Sequence, residues 1–246
     1  MGRLGCLFDS AFFMRCQMFH IAGVIPFTTI DFPDNLAGVI FFKGCPLKCP
    51  FCHNPALQEL SEGDETWENV CAFFKERVRR LDGVVLSGGE PLMQPDIFQA
   101  VQTLKEMGYK VAIHTSGVYP EKLKQLAPML DWVGLDVKAP WDKYEVLSGR
   151  PNMADKVKQS IEILQDARVP FETRTTCDPR YLTLEDIERL TDELQAMNVS
   201  HYAMQKYRTF DGDKNPPSIS EIDSFFSNAE WLKGIQGKFQ SFLTRE

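Results

Sequence analysis

Three of the seven cysteines in this chain, Cys45, Cys49 and Cys52, lie within eight positions of one another in the segment FFKGCPLKCPFCHNP. A short loop of three thiolates directly after an apolar run can wrap one soft-metal centre, because thiolate is a ligand of zinc and of iron–sulfur clusters. A closed zinc site wants four ligands, usually as two Cys-x-x-Cys pairs, and here the second pair is missing. Cys71 and Cys177 each stand alone. His53 adjoins Cys52 so closely that chelation by both strains the geometry. Three thiolates on a four-iron cluster leave one iron open, and an open position is what lets a metal site bind a substrate, as catalytic zinc does. An odd cysteine count with this clustering also argues against a disulfide framework.

Such a loop needs a scaffold that brings other residues to it. The chain has 246 residues, 43% of them apolar and 25% charged, a composition that supports a real core and excludes a disordered or collagenous chain. No stretch approaches the roughly 18 uninterrupted apolar residues of a membrane span, so a soluble globular protein is expected. Its 27 basic and 34 acidic residues leave a net charge of −7, which argues against nucleic-acid binding through phosphate neutralisation. Residues 1–19 read as an uncertain extension. Asp9 and Arg15 interrupt any signal-sequence core, Cys6 and Cys16 have no evident role, and Met18 is an alternative natural start.

Past residue 20, short β-rich apolar runs alternate with segments of helical period. Strands are expected at Leu36–Phe42, Gly83–Leu86, Lys110–His114, Trp132–Val137, Pro170–Thr176 and Ser200–Gln205. Helices are expected at Thr66–Arg80, Asp96–Met107, Glu121–Leu126, Asn152–Arg168, Leu184–Met197 and Ser220–Leu232, with Thr183 and Asp186 fitting a capping box. Strands separated by helices imply right-handed βαβ units and a parallel sheet. About six such units with no compositional break suggest a single α/β domain over 20–246, less regular from about 206, built as an open barrel or a doubly wound sheet. Ligand sites then belong at the C-terminal strand ends, and the cysteine loop follows the first strand.

Two of those strand ends carry a known pattern. Cys45-x3-Cys49-x-Phe51-Cys52 resembles the signature of the radical S-adenosylmethionine superfamily, and Ser87-Gly88-Gly89-Glu90-Pro91 is similar to that family's Gly-Gly-Glu-Pro loop. The resemblance implies a partial (β/α)6 barrel and a 4Fe-4S cluster held by Cys45, Cys49 and Cys52. It also implies S-adenosylmethionine as cofactor, with Phe51 near the adenine. Glycines let backbone groups approach a ligand closely, and a carboxylate such as Glu90 can accept hydrogen bonds from the ammonium of a methionine moiety. His114-Thr115-Ser116-Gly117 resembles the family's Thr-Asn-Gly element that helps bind the cofactor's ribose or carboxylate, with Ser116 in place of the commoner Asn. Asp136-Val137-Lys138 resembles the Asp-x-Lys of glycyl-radical activating enzymes, where both side chains face the cofactor; an exposed ion pair is the other reading. Arg174 and Gln205 point to the same rim, and an inward-facing barrel arginine or a core-edge glutamine explains them almost as well. No residue is assigned as an acid, base or nucleophile.

Thr28-Thr29-Ile30-Asp31-Phe32-Pro33, followed by LAGVIFFKGC and ending in Cys52-His53-Asn54-Pro55, resembles the activating proteins of anaerobic ribonucleoside-triphosphate reductase and their glycyl-radical activase relatives. One departure is Asp34, where that family usually has Gly. Only Cys71 lies between Cys52 and Gly88, so an inserted ferredoxin module does not fit, and only Cys177 is available for an auxiliary C-terminal cluster. The resemblance implies that one electron from a reduced flavodoxin or ferredoxin cleaves S-adenosylmethionine to methionine and a 5′-deoxyadenosyl radical. That radical would take a hydrogen from a backbone glycine of a large partner enzyme. Activation of pyruvate formate-lyase, chemistry on a small metabolite or RNA, and a zinc-binding module are the alternatives. A reducing cytoplasm is the expected setting, with no membrane and no nucleic-acid partner.

Overall fold

A computed structural model of the chain describes residues 19–210 and 212–245; the expected extension, but for Phe19, lies outside the described residues together with Cys6, Cys16 and Met18. Eight strands form one sheet in sequence order: β1 Ile21–Thr28, β2 Ala37–Phe42, β3 Gly83–Gly88, β4 Lys110–Thr115, β5 Trp132–Asp136, β6 Phe171–Cys177, β7 His201–Lys206 and β8 Ser241–Arg245. β1 runs antiparallel to β2, and every later pair is parallel. Parallel neighbours need a crossover. Helices supply it: α1 Trp67–Lys75, α2 Ile97–Glu106, α3 Pro120–Leu126, α4 Tyr144–Ser148, α5 Met153–Asp166, α6 Leu184–Ala196, α7 Ile219–Ser227 and α8 Ala229–Gln236. The sheet is a partial barrel. A recess of about 550 Å³ between the loop after β1 and strands β7 and β8 marks the open seam, with Ile30 and Asp31 on one lip and Leu243 and Arg245 on the other.

All six expected strands are present, and β1 and β8 are additions at the edges. Gly23 and Pro26 obscure the β pattern of β1, and its pairing with β2 slips register twice. An edge strand tolerates proline because its outward N–H needs no ladder partner. The expected helix over Thr66–Arg80 ends at Lys75, and Arg79 turns to φ 73°. The expected terminal helix over Ser220–Leu232 is two helices, because extended Asn228 closes α7 and its side chain then accepts from Trp231 N to cap α8. Asp34 takes φ 58°, so the turn that favours Gly in the family is made here by an aspartate in the left-handed region.

Side chains alternate across each strand. One set, including Ile40, Leu86, Ile113 and Leu135, packs under the helices in the main core. The other set faces into the barrel, where Phe32, Ala37, Val39, Val85, Ala112 and Trp132 form a separate apolar plug at the N-terminal ends of the strands. Beyond the plug the inward positions turn polar: Ser87, His114, Asp136, Arg174 and Gln205 all line one cleft. The plug is the floor of the site.

Candidate active site at the open end of the barrel

The chain leaves β2 at Phe42 and turns at Gly44, φ 98°, into the cysteine loop. Gly44 N donates to Leu57 O at 2.9 Å and Cys45 N to Gln58 O at 3.1 Å, which pins the turn. Beyond it the loop alternates. Cys45, Leu47, Cys49 and Phe51 line a cleft of about 620 Å³, while Pro46, Lys48 and Pro50 do not, and Cys52 joins the lining. All three thiols therefore stand on one wall. Burial, with the Glu90 carboxylate adding to it, pushes the Cys45 thiol up to about 12. Burial also raises the Cys49 thiol, against the pull of the Lys138 ammonium. Phe51 is buried, its ring 6.0 Å from that of Tyr181. Cys71 lies on α1 and Cys177 ends β6 in the core, neither of them on the cleft.

His53 lines the same cleft, with its ring engaged by the segment after β7. Its Nε2 accepts from Arg208 N at 3.2 Å, and its ring lies 5.4 Å from Tyr207. Tyr207 donates its hydroxyl to Asp213, and Arg180 bridges Asp178 at 2.6 Å and Asp213 at 2.8 Å. These contacts hold the segment after β7 over the cysteine loop, where Arg208, Thr209 and Phe210 become cleft wall. Sequence reasoning reads that stretch only as a loop, since the contacts that tie it to the rest of the fold, His53 to Arg208 and Arg180 to Asp213, span 155 and 33 positions.

The Gly88–Gly89 turn packs directly on the start of the cysteine loop. Gly89 N donates to Phe42 O and Glu90 N to Gly44 O, both at 2.8 Å. A Cβ on Gly88, whose φ is 117°, would stand 2.3 Å from Phe42 N and O, and one on Gly89 2.3 Å from Gly44 O. Glycine is required at both positions by backbone proximity. Glu90 departs from the expectation of a carboxylate open to an ammonium. It is fully buried and accepts from Leu92 N (3.1 Å), Thr115 Oγ1 (2.7 Å), Ser116 N (2.8 Å) and Ser116 Oγ (2.5 Å). Four protein donors already satisfy it, so its side chain ties the Gly-Gly loop to the end of β4. Ser116 reaches the cleft edge from that tie.

Asp136 and Lys138 are not an exposed surface pair. Both line the cleft, with Lys138 Nζ 3.5 Å and Arg174 Nη2 3.2 Å from the Asp136 carboxylate. Desolvation alone would raise that carboxyl; Lys138, Arg174 and His114 together hold it below the usual range. Arg174 is the inward-facing arginine, 7% exposed, and Gly134 makes room for it, since a Cβ there would lie 2.5 Å from its guanidinium carbon. Gln205 also reaches the cleft and the seam recess.

His114, which the sequence reading placed at the end of a strand and the head of the His114–Gly117 element without giving it a role of its own, lines the cleft. Its Nε2 donates to Asp31 O at 2.8 Å, with Arg174 Nη1 3.3 Å from the same nitrogen. Burial, and then the Arg174 charge, push it down to about 3. The unfolded chain protonates a histidine near ~6.5, so between those values the unfolded state binds the extra proton. Stability that is full above the unfolded value is therefore lost as pH falls, by up to about 1.4 kcal/mol per pH unit. His114→Gln should flatten the slope of urea-unfolding free energy between about pH 4 and 6. An unchanged slope would assign the acid loss to other groups.

The donor set suits an iron–sulfur cluster with an amino-acid cofactor beside it. Three soft thiols share one wall, and the same cleft is lined by the carboxylates Asp31 and Asp136, the ammonium Lys138 and the guanidinium groups Arg174 and Arg208, with Arg174 Nε buried and without a partner among the described residues. No three His, Cys, Asp or Glu side chains converge on a single-ion position among the described residues. A cuboidal cluster takes its thiolates on different irons and asks for a wider triangle.

The profile of the Radical SAM superfamily matches residues 39–194. A protein of Methanocaldococcus jannaschii named as a glycyl-radical enzyme activating enzyme is 32% identical over 202 residues, 78% of this chain and 81% of its own length. The pyruvate formate-lyase-activating enzyme of Streptococcus mutans is 28% identical, over 74% of this chain and 75% of its own. Among solved structures, Streptococcus suis SuiB bound to its precursor peptide SuiA superimposes with a TM-score of 0.66 at 16% identity over 85% of this chain. The chain spans 48% of that protein's length, so the likeness is one of fold. The structure of anSMEcpe with bound AdoMet gives a TM-score of 0.63 at 16% identity, covering 81% of this chain and 61% of that one.

Proposed function

The chain belongs to the radical S-adenosylmethionine superfamily, among its glycyl-radical enzyme activating enzymes, and from that premise we propose that it activates anaerobic ribonucleoside-triphosphate reductase. The observation that carries the site assignment is the convergence of Cys45, Cys49, Cys52, Gly89, Asp136 and Lys138 on one cleft. A 4Fe-4S cluster bound there supplies the single electron that splits S-adenosylmethionine into methionine and a 5′-deoxyadenosyl radical. Cys45, Cys49 and Cys52 hold it, and the nearby Lys138 ammonium favours their thiolate form. The Gly88–Gly89 backbone, free of side chains, would let the cofactor's methionine end lie close, with Asp136 as the acceptor for its ammonium and Lys138 and Arg174 as the cations for its carboxylate. Phe51 would pack on the adenine and Ser116 would meet the ribose, as the family resemblance implies. Phe210 and its neighbours in the segment after β7 exclude water, which protects a reactive radical.

The seam recess shares Ile30, Asp31, His53, Arg174, Gln205 and Arg208 with the cleft, so a glycine-bearing loop entering through the seam reaches the cofactor wall. Residues 20–246 act in this reading as a single unit, in a reducing cytoplasm. The Thr28–Pro33 segment favours the reductase as partner. Pyruvate formate-lyase is the second reading, favoured by the name of the Streptococcus mutans relative. Electron paramagnetic resonance on anaerobic mixtures with reductant and S-adenosylmethionine distinguishes the two. A glycyl doublet is expected on the reductase; a doublet on pyruvate formate-lyase alone would transfer the assignment.

A further inference from the structure

We infer that His114 is a positioning residue that ties the seam loop at Asp31 to Arg174, so that filling the cofactor wall sets the lip past which the partner's glycine segment enters. The inference rests on the activase reading and deepens it, by naming what joins the two openings of the site. Thr29, Ile30 and Asp31 form one lip of the seam recess, and Ile30 is 70% exposed there. Thr28 Oγ1 donates to the Asp31 carboxylate at 2.6 Å, a bond within the loop. Among the described residues, the one hydrogen bond from these three to a distant strand runs from His114 Nε2 to Asp31 O, across 83 positions.

One nitrogen faces two partners of unlike kind. Asp31 O only accepts and Arg174 Nη1 only donates, yet both approach His114 Nε2, at 2.8 and 3.3 Å. Burial and the Arg174 charge keep the ring neutral, and a neutral imidazole carries a single N–H. With the proton on Nε2, the ring holds Asp31 O and offers Arg174 nothing. With it on Nδ1, the ring accepts from Arg174 and releases the lip. Trp132 of the plug meets the imidazole edge-on, centroids 5.8 Å apart, so the ring is held in place and the choice falls to the proton. What decides it is whether Arg174 has another acceptor. Its Nη2 lies 3.3 Å from Gly134 O and 3.2 Å from the Asp136 carboxylate. Among the described residues, however, Nε is buried with no partner, and His114 is the one hydrogen-bond partner of Nη1. A buried guanidinium so short of acceptors draws on His114 while the site is empty. Given the carboxylate of an amino-acid cofactor, Arg174 gains the acceptor it lacks, and His114 keeps its proton for Asp31 O.

Two readouts test this on the cluster-loaded protein without reductant, so that S-adenosylmethionine binds and is not consumed. Hydrogen–deuterium exchange of residues 28–36 should slow by about fivefold or more when S-adenosylmethionine is added, and affinity for the anaerobic reductase should rise by a similar factor. His114→Phe keeps a ring against Trp132 but neither donates nor accepts, so both effects should shrink to less than about twofold. His114→Gln carries a donor for Asp31 O and an acceptor for Arg174 at once, which ends the competition. In that variant residues 28–36 should be protected with or without the cofactor, and the reductase should bind throughout at the affinity of the cofactor-loaded unaltered protein. Should His114→Phe fail to fold, His114→Gln alone decides. A cofactor effect of unaltered size in either variant would overturn the inference, as would an unaltered protein whose exchange at residues 28–36 ignores the cofactor. A reductase that binds the unaltered protein in neither state would instead sink the partner named in the activase reading, while the exchange readout still judges His114.

Discussion

Cys49→Ala is expected to abolish iron retention and to lower reductive cleavage of S-adenosylmethionine by more than about a hundredfold, since losing even an outer partner of a metal ligand costs ~10–100-fold. Cys49 sits at the middle of the lining run and is the most buried of the three thiols. No neighbouring donor can replace it: His53 is committed to Arg208 N, and Cys71 lies on the outer helix α1. Cys45→Ala and Cys52→Ala should behave alike. Cys71→Ala and Cys177→Ala should keep iron and activity, with Cys177→Ala costing only about 1 kcal/mol of buried thiol packing. Iron content and cofactor cleavage, measured after anaerobic purification, decide the matter. A Cys49→Ala protein with full iron and activity would remove the ligand assignment.

Why the cysteine loop was legible while its supports were not follows from range. Three thiols in eight positions, two glycines before a Glu-Pro and an Asp-x-Lys are each contained in a single short segment. Six parallel strands were equally plain, because burial on both faces makes a run such as GVVL apolar throughout. The edge strands β1 and β8 lack that mark, being half exposed and, in β1, broken by Gly23 and Pro26. Long-range satisfaction leaves no local trace. Nothing near Glu90 in sequence says that Thr115 and Ser116 will saturate it, and nothing near His114 says that Asp31 O lies 2.8 Å away. The polar groups in the barrel are specified pairwise, by residues 25 to 83 positions apart.

Gly89→Ala should be nearly as damaging as loss of a thiol, for a reason in the backbone. The added Cβ would meet Gly44 O at 2.3 Å and Leu57 O at 2.7 Å. Neither atom can rotate away as the tip of a side chain could, and Gly44 O is also the acceptor for Glu90 N. The two loops must therefore part. Separation breaks that bond, shifts Glu90, and through its carboxylate releases Ser116 from the end of β4. A misplacement of about 1 Å at such a site costs ~10²-fold, and the strain removes about 1–3 kcal/mol of stability. Gly234→Ala supplies the opposite sign in the same protein. It lies inside α8, where a Cβ meets nothing within 4 Å, so the substitution should stabilise by about 0.5–1 kcal/mol and leave cofactor binding intact. Thermal midpoints with equilibrium binding of S-adenosylmethionine check both. If Gly89→Ala binds the cofactor as tightly as the unaltered chain, the contact between the two loops is not what shapes the site.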